Sequence, residues 1–242
     1  MFNRPKYKDF ARIQLRSRWT IPVMSVLVTM IFLRVFSIPL NLYIDSFRIR
    51  EYLMKGDIEN YVNAFLEMNS MVIYGLAFIV LIISFVLEMA SVHLYLKMSR
   101  SPDPVVFGDY VEGYSSWWKA IRCGLWNFLF TFLWSLLLFV PGFIKMFSYS
   151  QMYYLLDEFP QLTVRESMKI SMKITKGHKM DLFILDLSFF GWGFLEVITG
   201  NLAAFYVRPY YYMTKINAYH ALLKEAVDAG KISIGELRNE KK

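Results

Sequence analysis

Apolar residues in this chain come in long blocks. Residues 19–44 are apolar almost throughout, interrupted by Arg34, and residues 70–96 form a second block broken chiefly by Glu88 and His93. A third block covers 120–141, and two more cover 181–199 and 201–220, parted at Gly200. Each has roughly the ~20 helical residues that cross a ~30 Å hydrocarbon core. Backbone groups in lipid must pair within their own segment, so these blocks predict helices. They lack the period-two alternation of a membrane barrel. A shorter block at 143–157, rich in Tyr and Met and holding Lys145, follows Pro141-Gly142. Taken alone it reads as a short crossing, a re-entrant segment or an interfacial helix.

Charge orders the blocks. The first 18 residues carry Arg4, Lys6, Lys8, Arg12, Arg16 and Arg18 against Asp9. Lys and Arg stay cytoplasmic, so the N-terminus is expected inside. The 45–69 loop has three basic and five acidic residues, as expected outside. The 97–122 loop is basic again, and 165–179 has five basic residues against one acid. For both to lie inside, 143–157 must cross, paired with the preceding helix through a turn at Pro141-Gly142. The expected fold class is therefore all-α: a polytopic helical membrane bundle of six spans (19–44, 70–96, 120–141, 143–157, 181–199, 201–220) with both termini cytoplasmic. A five-span chain would place the basic 165–179 segment outside.

Composition agrees. Of 242 residues, 56% are hydrophobic and 19% charged, which excludes a disordered chain. The single cysteine, Cys123, excludes an internal disulfide scaffold. The net charge of +7 would fit a nucleic-acid binder. Under six spans, however, the excess falls on the cytoplasmic segments and is an orientation signal, so no nucleic-acid partner is expected. The first block is too long for a signal-peptide core and lacks a small-residue cleavage site. The 221–242 segment reads as a short tail and the chain as one membrane domain.

Two candidate sites follow. Between spans four and five, Thr163 and Glu166 form a capping box ahead of a helix over 163–176, with Gly177 suited to its end. Arg165, Lys169, Lys173 and Lys176 share one face of it, opposite Val164, Met168, Ile170 and Ile174. Such a basic amphipathic helix suits an anionic inner leaflet, so lipid headgroups are the expected contact; simple topological anchoring is the plainer reading. Within the spans, Arg34, Glu88, Asp186, Glu196 and Arg208 are expensive in lipid and expected to face the bundle interior. At ~1.5 Å per residue, Arg34, Glu196 and Arg208 fall in the outer half and Glu88 and Asp186 in the inner half. Arg34 or Arg208 is then the partner of Glu196, or Arg34 snorkels to the headgroups. Pro209 and the tyrosines after it suggest a bend beside Arg208; Gly191, Gly193 and Gly200 suggest close helix packing. The chain carries no phosphate-binding loop, G-x-S-x-G or H-E-x-x-H motif, and His93, His178 and His220 are scattered. No enzyme activity, metal or cofactor is expected.

The second half also has a texture of its own: Phe139-Val140-Pro141-Gly142-Phe143-Ile144-Lys145, Ser148-Tyr149-Ser150, Asp157-Glu158-Phe159-Pro160, Ser171-Met172-Lys173, Gly177-His178-Lys179, Asp186-Leu187-Ser188-Phe189-Phe190-Gly191-Trp192, Pro209-Tyr210-Tyr211 and Ala218-Tyr219. This resembles the bacterial multi-pass membrane family catalogued as domain of unknown function nine-seven-five. The likeness is clearest over 117–220 and weaker over 7–30, at Ala11-Arg12, Leu15 and Trp19. Where that family usually has Asn before the proline, this chain has Phe159 before Pro160. The resemblance implies a bacterial plasma-membrane protein and carries no activity with it. The expected role is membrane transport or lipid handling through the intramembrane polar cluster; the alternative is a structural or assembly partner with no substrate. The sequence does not specify protein partners or a homo-oligomer.

Overall fold

The computed structural model describes residues 2–238, and every regular element among them is helical. In chain order these are α1 (Arg4–Leu15), α2 (Thr20–Ser46), α3 (Ile49–Lys55), α4 (Ile58–Glu67), α5 (Ser70–Arg100) and α6 (Phe107–Glu112), then a 3-10 turn at Gly113–Ser116. They continue as α7 (Trp117–Leu137), α8 (Phe139–Tyr149), α9 (Met152–Glu158), α10 (Val164–Ile174), α11 (Lys179–Leu187), α12 (Phe190–Ile198), α13 (Ala204–Asp228) and α14 (Ile234–Arg238). Two compact units are present: Val28–Ser84, and the residues before and after it.

Val28–Ser84 joins the distal half of α2 to the proximal half of α5 through α3 and α4. α2 and α5 are each long and apolar enough to cross a membrane, and only 17% and 6% of their most apolar windows are buried. That exposure is opposite to what the core helix of a soluble protein needs. Within this unit Ala64 is the only buried residue among those described. The connecting segment is polar and capped: the Asp57 carboxylate accepts the Asn60 N–H (3.2 Å), and the Tyr43 hydroxyl accepts the Asn69 N–H (2.9 Å).

The larger unit holds two antiparallel hairpins. In the first, α7 turns at Leu138, whose extended backbone (φ −160°, ψ 141°) ends one helix and starts the next. At the tip, a Cβ on Gly142 would lie 2.7 Å from Ser135 Cα, so only glycine allows this approach. At the base, the Lys119 ammonium donates to the Pro160 carbonyl (2.7 Å), so the chain has returned to the level at which α7 began. The return leg breaks at Ser150-Gln151, and α10 repairs the break: the Gln151 N–H donates to Ser171 Oγ (3.2 Å), which donates to the Ser148 carbonyl (2.7 Å). Protein groups thus satisfy the backbone polar atoms freed at the break. In the second hairpin, α11 and α12 run out and α13 runs back. His178 meets Glu225 at its base and Glu196 meets Arg208 toward its tip.

Several expected boundaries change. Pro141-Gly142 is not the turn but the first turn of α8, where proline's missing N–H has no helical partner to lose. Segment 143–157 is two helices, not one, and 181–199 is broken at Ser188-Phe189. The 163–176 helix ends at Ile174, leaving Lys176 beyond it, and Gly177 follows in the left-handed region (φ +96°). Gly191 and Gly193 have open space where a Cβ would stand, so they mediate no close packing here. Of the expected 221–242 tail, the described part packs on the rest: α13 runs to Asp228, and Leu222, Ala226, Ile232 and Leu237 are buried in the core. The basic N-terminus also folds, as α1 packed on α13 with Ala11 and Leu15 wholly buried. The Asn217 amide donates to Tyr7 O (3.3 Å) and Gln14 Oε1 (2.8 Å) across that contact.

Candidate functional site

One face of α13 gathers the charged and phenolic groups. Arg208, Tyr211, Tyr212, Lys215 and Tyr219 follow at three- and four-residue spacing, so they form a single stripe ~16 Å long. Each meets a carboxylate from another helix. Arg208 Nε lies 3.5 Å from Glu196 of α12. Asp186 of α11 accepts from Lys215 Nζ (2.8 and 3.0 Å) and from the Tyr211 hydroxyl (3.2 Å). Glu88 of α5 accepts from the Tyr212 hydroxyl at 2.5 Å. Glu158 at the end of α9 accepts from the Tyr219 hydroxyl and pairs with Arg100 at 3.0 Å. Tyr95 of α5 stacks on Tyr212 with ring centroids 5.0 Å apart.

The structure thus distributes the expected cluster. Of the two cations that depth nominates for Glu196, Arg208 is the one beside it. Arg34 lies in the Val28–Ser84 unit, exposed and without an ion pair among the described residues. Glu88 and Asp186 face α13 through separate partners. Lys215, Tyr212 and Tyr219 complete the arrangement but were not singled out from the sequence as partners. Their signal was present: five polar side chains at helical period from Arg208 to Tyr219.

A second set of charges lies at the α5 C-terminus. His93 Nδ1 is 2.8 Å from Asp157, Lys97 Nζ is 2.8 Å from Asp109, and Glu112 lies 3.7 Å from His93 and 3.4 Å from Lys97. The Lys97 hydrogen bond, helped by the Val106 N–H, holds the Asp109 carboxyl below its ordinary value against the opposing effect of burial. At the α11–α13 base, hydrogen bonding to His178 likewise holds Glu225 below the usual glutamate range. Among the described residues no cluster of three or more His, Cys, Asp or Glu side chains is arranged to hold a metal ion.

On α10 the capping box forms, with the Glu166 N–H donating to Thr163 Oγ1 (3.3 Å) and Thr163 N–H to Glu166 Oε2 (2.9 Å). Arg165, Lys169, Lys173 and Lys176 are all exposed, while Ser167, Met168, Ile170, Ser171 and Ile174 are buried. Lys173 pairs with Glu236 of α14 (2.7 Å).

These features define a class: an all-helical protein with two helices of membrane-crossing length and a helix face that collects charge from its neighbours. Residues 136–226 match the model of the family described as protein of unknown function (DUF975), the family that the motifs of the second half resemble. That interval runs from the end of α7 into α13 and includes α10, Asp186, Glu196, Arg208 and Lys215; Arg34 and Glu88 precede it. No curated protein and no solved structure matches the chain.

Proposed function

We propose that this is a six-span protein of a bacterial plasma membrane, with both termini cytoplasmic, that transports or hands over a small or anionic substrate along the polar face of α13. The observation that carries the reading is Glu88. It sits within the apolar α5, and among the described residues no Lys, Arg or His lies within ion-pairing distance of it; its hydrogen-bond donor is a phenol. A carboxyl held in a span by a phenol, with Arg208 and Lys215 near enough to act on it but not to pair with it, is the kind of group through which transporters bind protons or cations. The six-span count is supported by the hairpins, because Lys119 beside Pro160 means that a crossing by α7 is matched by a return through α8 and α9. Outward-facing Phe128, Phe132 and Leu136 on α7 and Phe194, Val197 and Ile198 on α12 suit contact with lipid.

Single cysteines placed along α13 beside Arg208 and Lys215, in a chain with Cys123 replaced by Ala, test the reading with membrane-impermeant thiol reagents. Labelling at these positions supports a water-accessible path; protection throughout α12 and α13 overturns it. Cysteines at Asn63 and Lys169 test orientation, reacting from outside and only after permeabilisation, respectively. A structural role in membrane assembly is the second reading. It is favoured by the pairing of Arg208 and Lys215 within the chain itself, and full protection with a captured membrane partner would support it.

A further inference from the structure

A groove of about 690 Å³ opens at the base of the α7 hairpin. Its lining is divided. Lys119 and Arg122 of α7 and Arg165 of α10 supply cations, and Leu125, Trp126 and Leu129 supply an apolar wall. Lys119, Arg122, Trp126 and Leu129 follow at three- and four-residue spacing, so a single stripe of α7 passes from cationic to apolar over ~15 Å. The wall is fixed: Trp126 Nε1 donates to Met168 Sδ of α10 at 3.0 Å, and Lys119 is held by the Pro160 carbonyl at 2.7 Å. Arg122 lies over the Trp118 ring at 5.0 Å, and among the described residues no ion pair joins Arg122 or Arg165 to a carboxylate. Trp117 and Trp118, each about half exposed (52% and 51%), stand at the same level, where aromatic side chains mark a membrane–water interface.

We propose that this groove is a binding site for one glycerophospholipid with an anionic headgroup, its phosphate between Lys119, Arg122 and Arg165 and an acyl chain along Leu125, Trp126 and Leu129. The occupant follows from charge complementarity and from the order of the lining. Cations at the interfacial end and an apolar track running toward the α7 tip match an amphiphile lying along the bilayer normal. A soluble anion would use only the first part. The site differs from the open basic face of Lys169, Lys173 and Lys176 in having a cavity and an apolar wall. It rests on the membrane reading and is independent of transport.

The test is native mass spectrometry of the detergent-solubilised full chain, titrated with dioleoyl phosphatidylglycerol, dioleoyl phosphatidylcholine or inorganic phosphate. Phosphatidylglycerol should bind one molecule per chain, ahead of phosphatidylcholine. The R122Q/R165Q variant should weaken this by about tenfold or more, and K169Q/K173Q/K176Q by much less. Raising salt from about 0.1 M to about 1 M should weaken binding to the unaltered chain, a check that needs no variant. Equal losses in the two variants, equal binding of the two lipids, or displacement of the lipid by millimolar inorganic phosphate would each overturn the proposal. Recovery of the chain from detergent-free lysate in the soluble fraction would instead overturn the membrane reading itself.

Discussion

The Tyr212 hydroxyl of α13 donates a 2.5 Å hydrogen bond to the Glu88 carboxylate of α5, joining residues 124 positions apart. Tyr95, two turns along α5 from Glu88, stacks on the same Tyr212 ring. One side chain is thus held by α5 at its face and at its polar tip. Tyr212→Phe keeps the stack and removes the donor. It should lower stability by about 1 kcal/mol, the usual worth of a single buried or intramembrane hydrogen bond. Glu88→Gln keeps an acceptor for the phenol and should be nearly neutral. Thermal unfolding in detergent measures both, and an unchanged midpoint for Tyr212→Phe would show that the bond contributes nothing.

Arg208 and Glu196 make a second interhelical pair, at 3.5 Å. In a membrane, a charge left alone costs about 2.5–3.5 kcal/mol at a helix centre on insertion scales, which sets an upper bound for this pair near the hairpin tip. Arg208→Glu and Glu196→Arg should each reduce folded yield, and the double reversal should recover most of the loss. No recovery would mean that the two side chains do not offset one another.

Gly142 is predicted to be intolerant of any side chain. A methyl group there would meet Ser135 Cα at 2.7 Å, and Ser135 is backbone-anchored on the opposing leg of the hairpin. Gly142→Ala should cost about 1–3 kcal/mol through overpacking. Gly191→Ala, which meets nothing within 4 Å, should not destabilise and serves as the control.

Acidification should weaken the α11–α13 base. Glu225 is held below its ordinary value chiefly by its hydrogen bond to His178, at 2.8 Å. A depressed carboxylate contributes stability that is present above its unfolded value and lost as pH falls through the folded one. The unfolding midpoint of the parent should therefore fall more steeply than that of Glu225→Gln between about pH 6 and about pH 3, the range in which carboxylates titrate. Parallel pH profiles would remove Glu225 from the account.

Some of this was legible in the residues. Thr163 with Glu166 announced the start of α10, and the spacing of Arg165, Lys169 and Lys173 announced its exposed face, because both depend on neighbours within a turn. The depth of Glu196 and Arg208, counted along their own segments, narrowed their pairing to two possibilities. The packing of the N-terminus and of the segment after residue 220 is not legible, for the converse reason. α1 and the end of α13 are too polar to declare themselves, and each becomes a buried element only because the other covers its apolar side.

Local pattern alone therefore determined that the chain is helical, where two membrane-length helices run, and which face of α10 carries charge. Apolar block length, capping and helical period act over a few residues and survive without tertiary information. The tertiary structure decided that Leu138 rather than Pro141-Gly142 makes the turn, that Ser171 closes the α8–α9 break, and that Arg208 faces Glu196 while Glu88 faces a phenol. Those outcomes depend on which atoms distant segments bring within 3–4 Å, where a hydrogen bond or a close approach is won or lost.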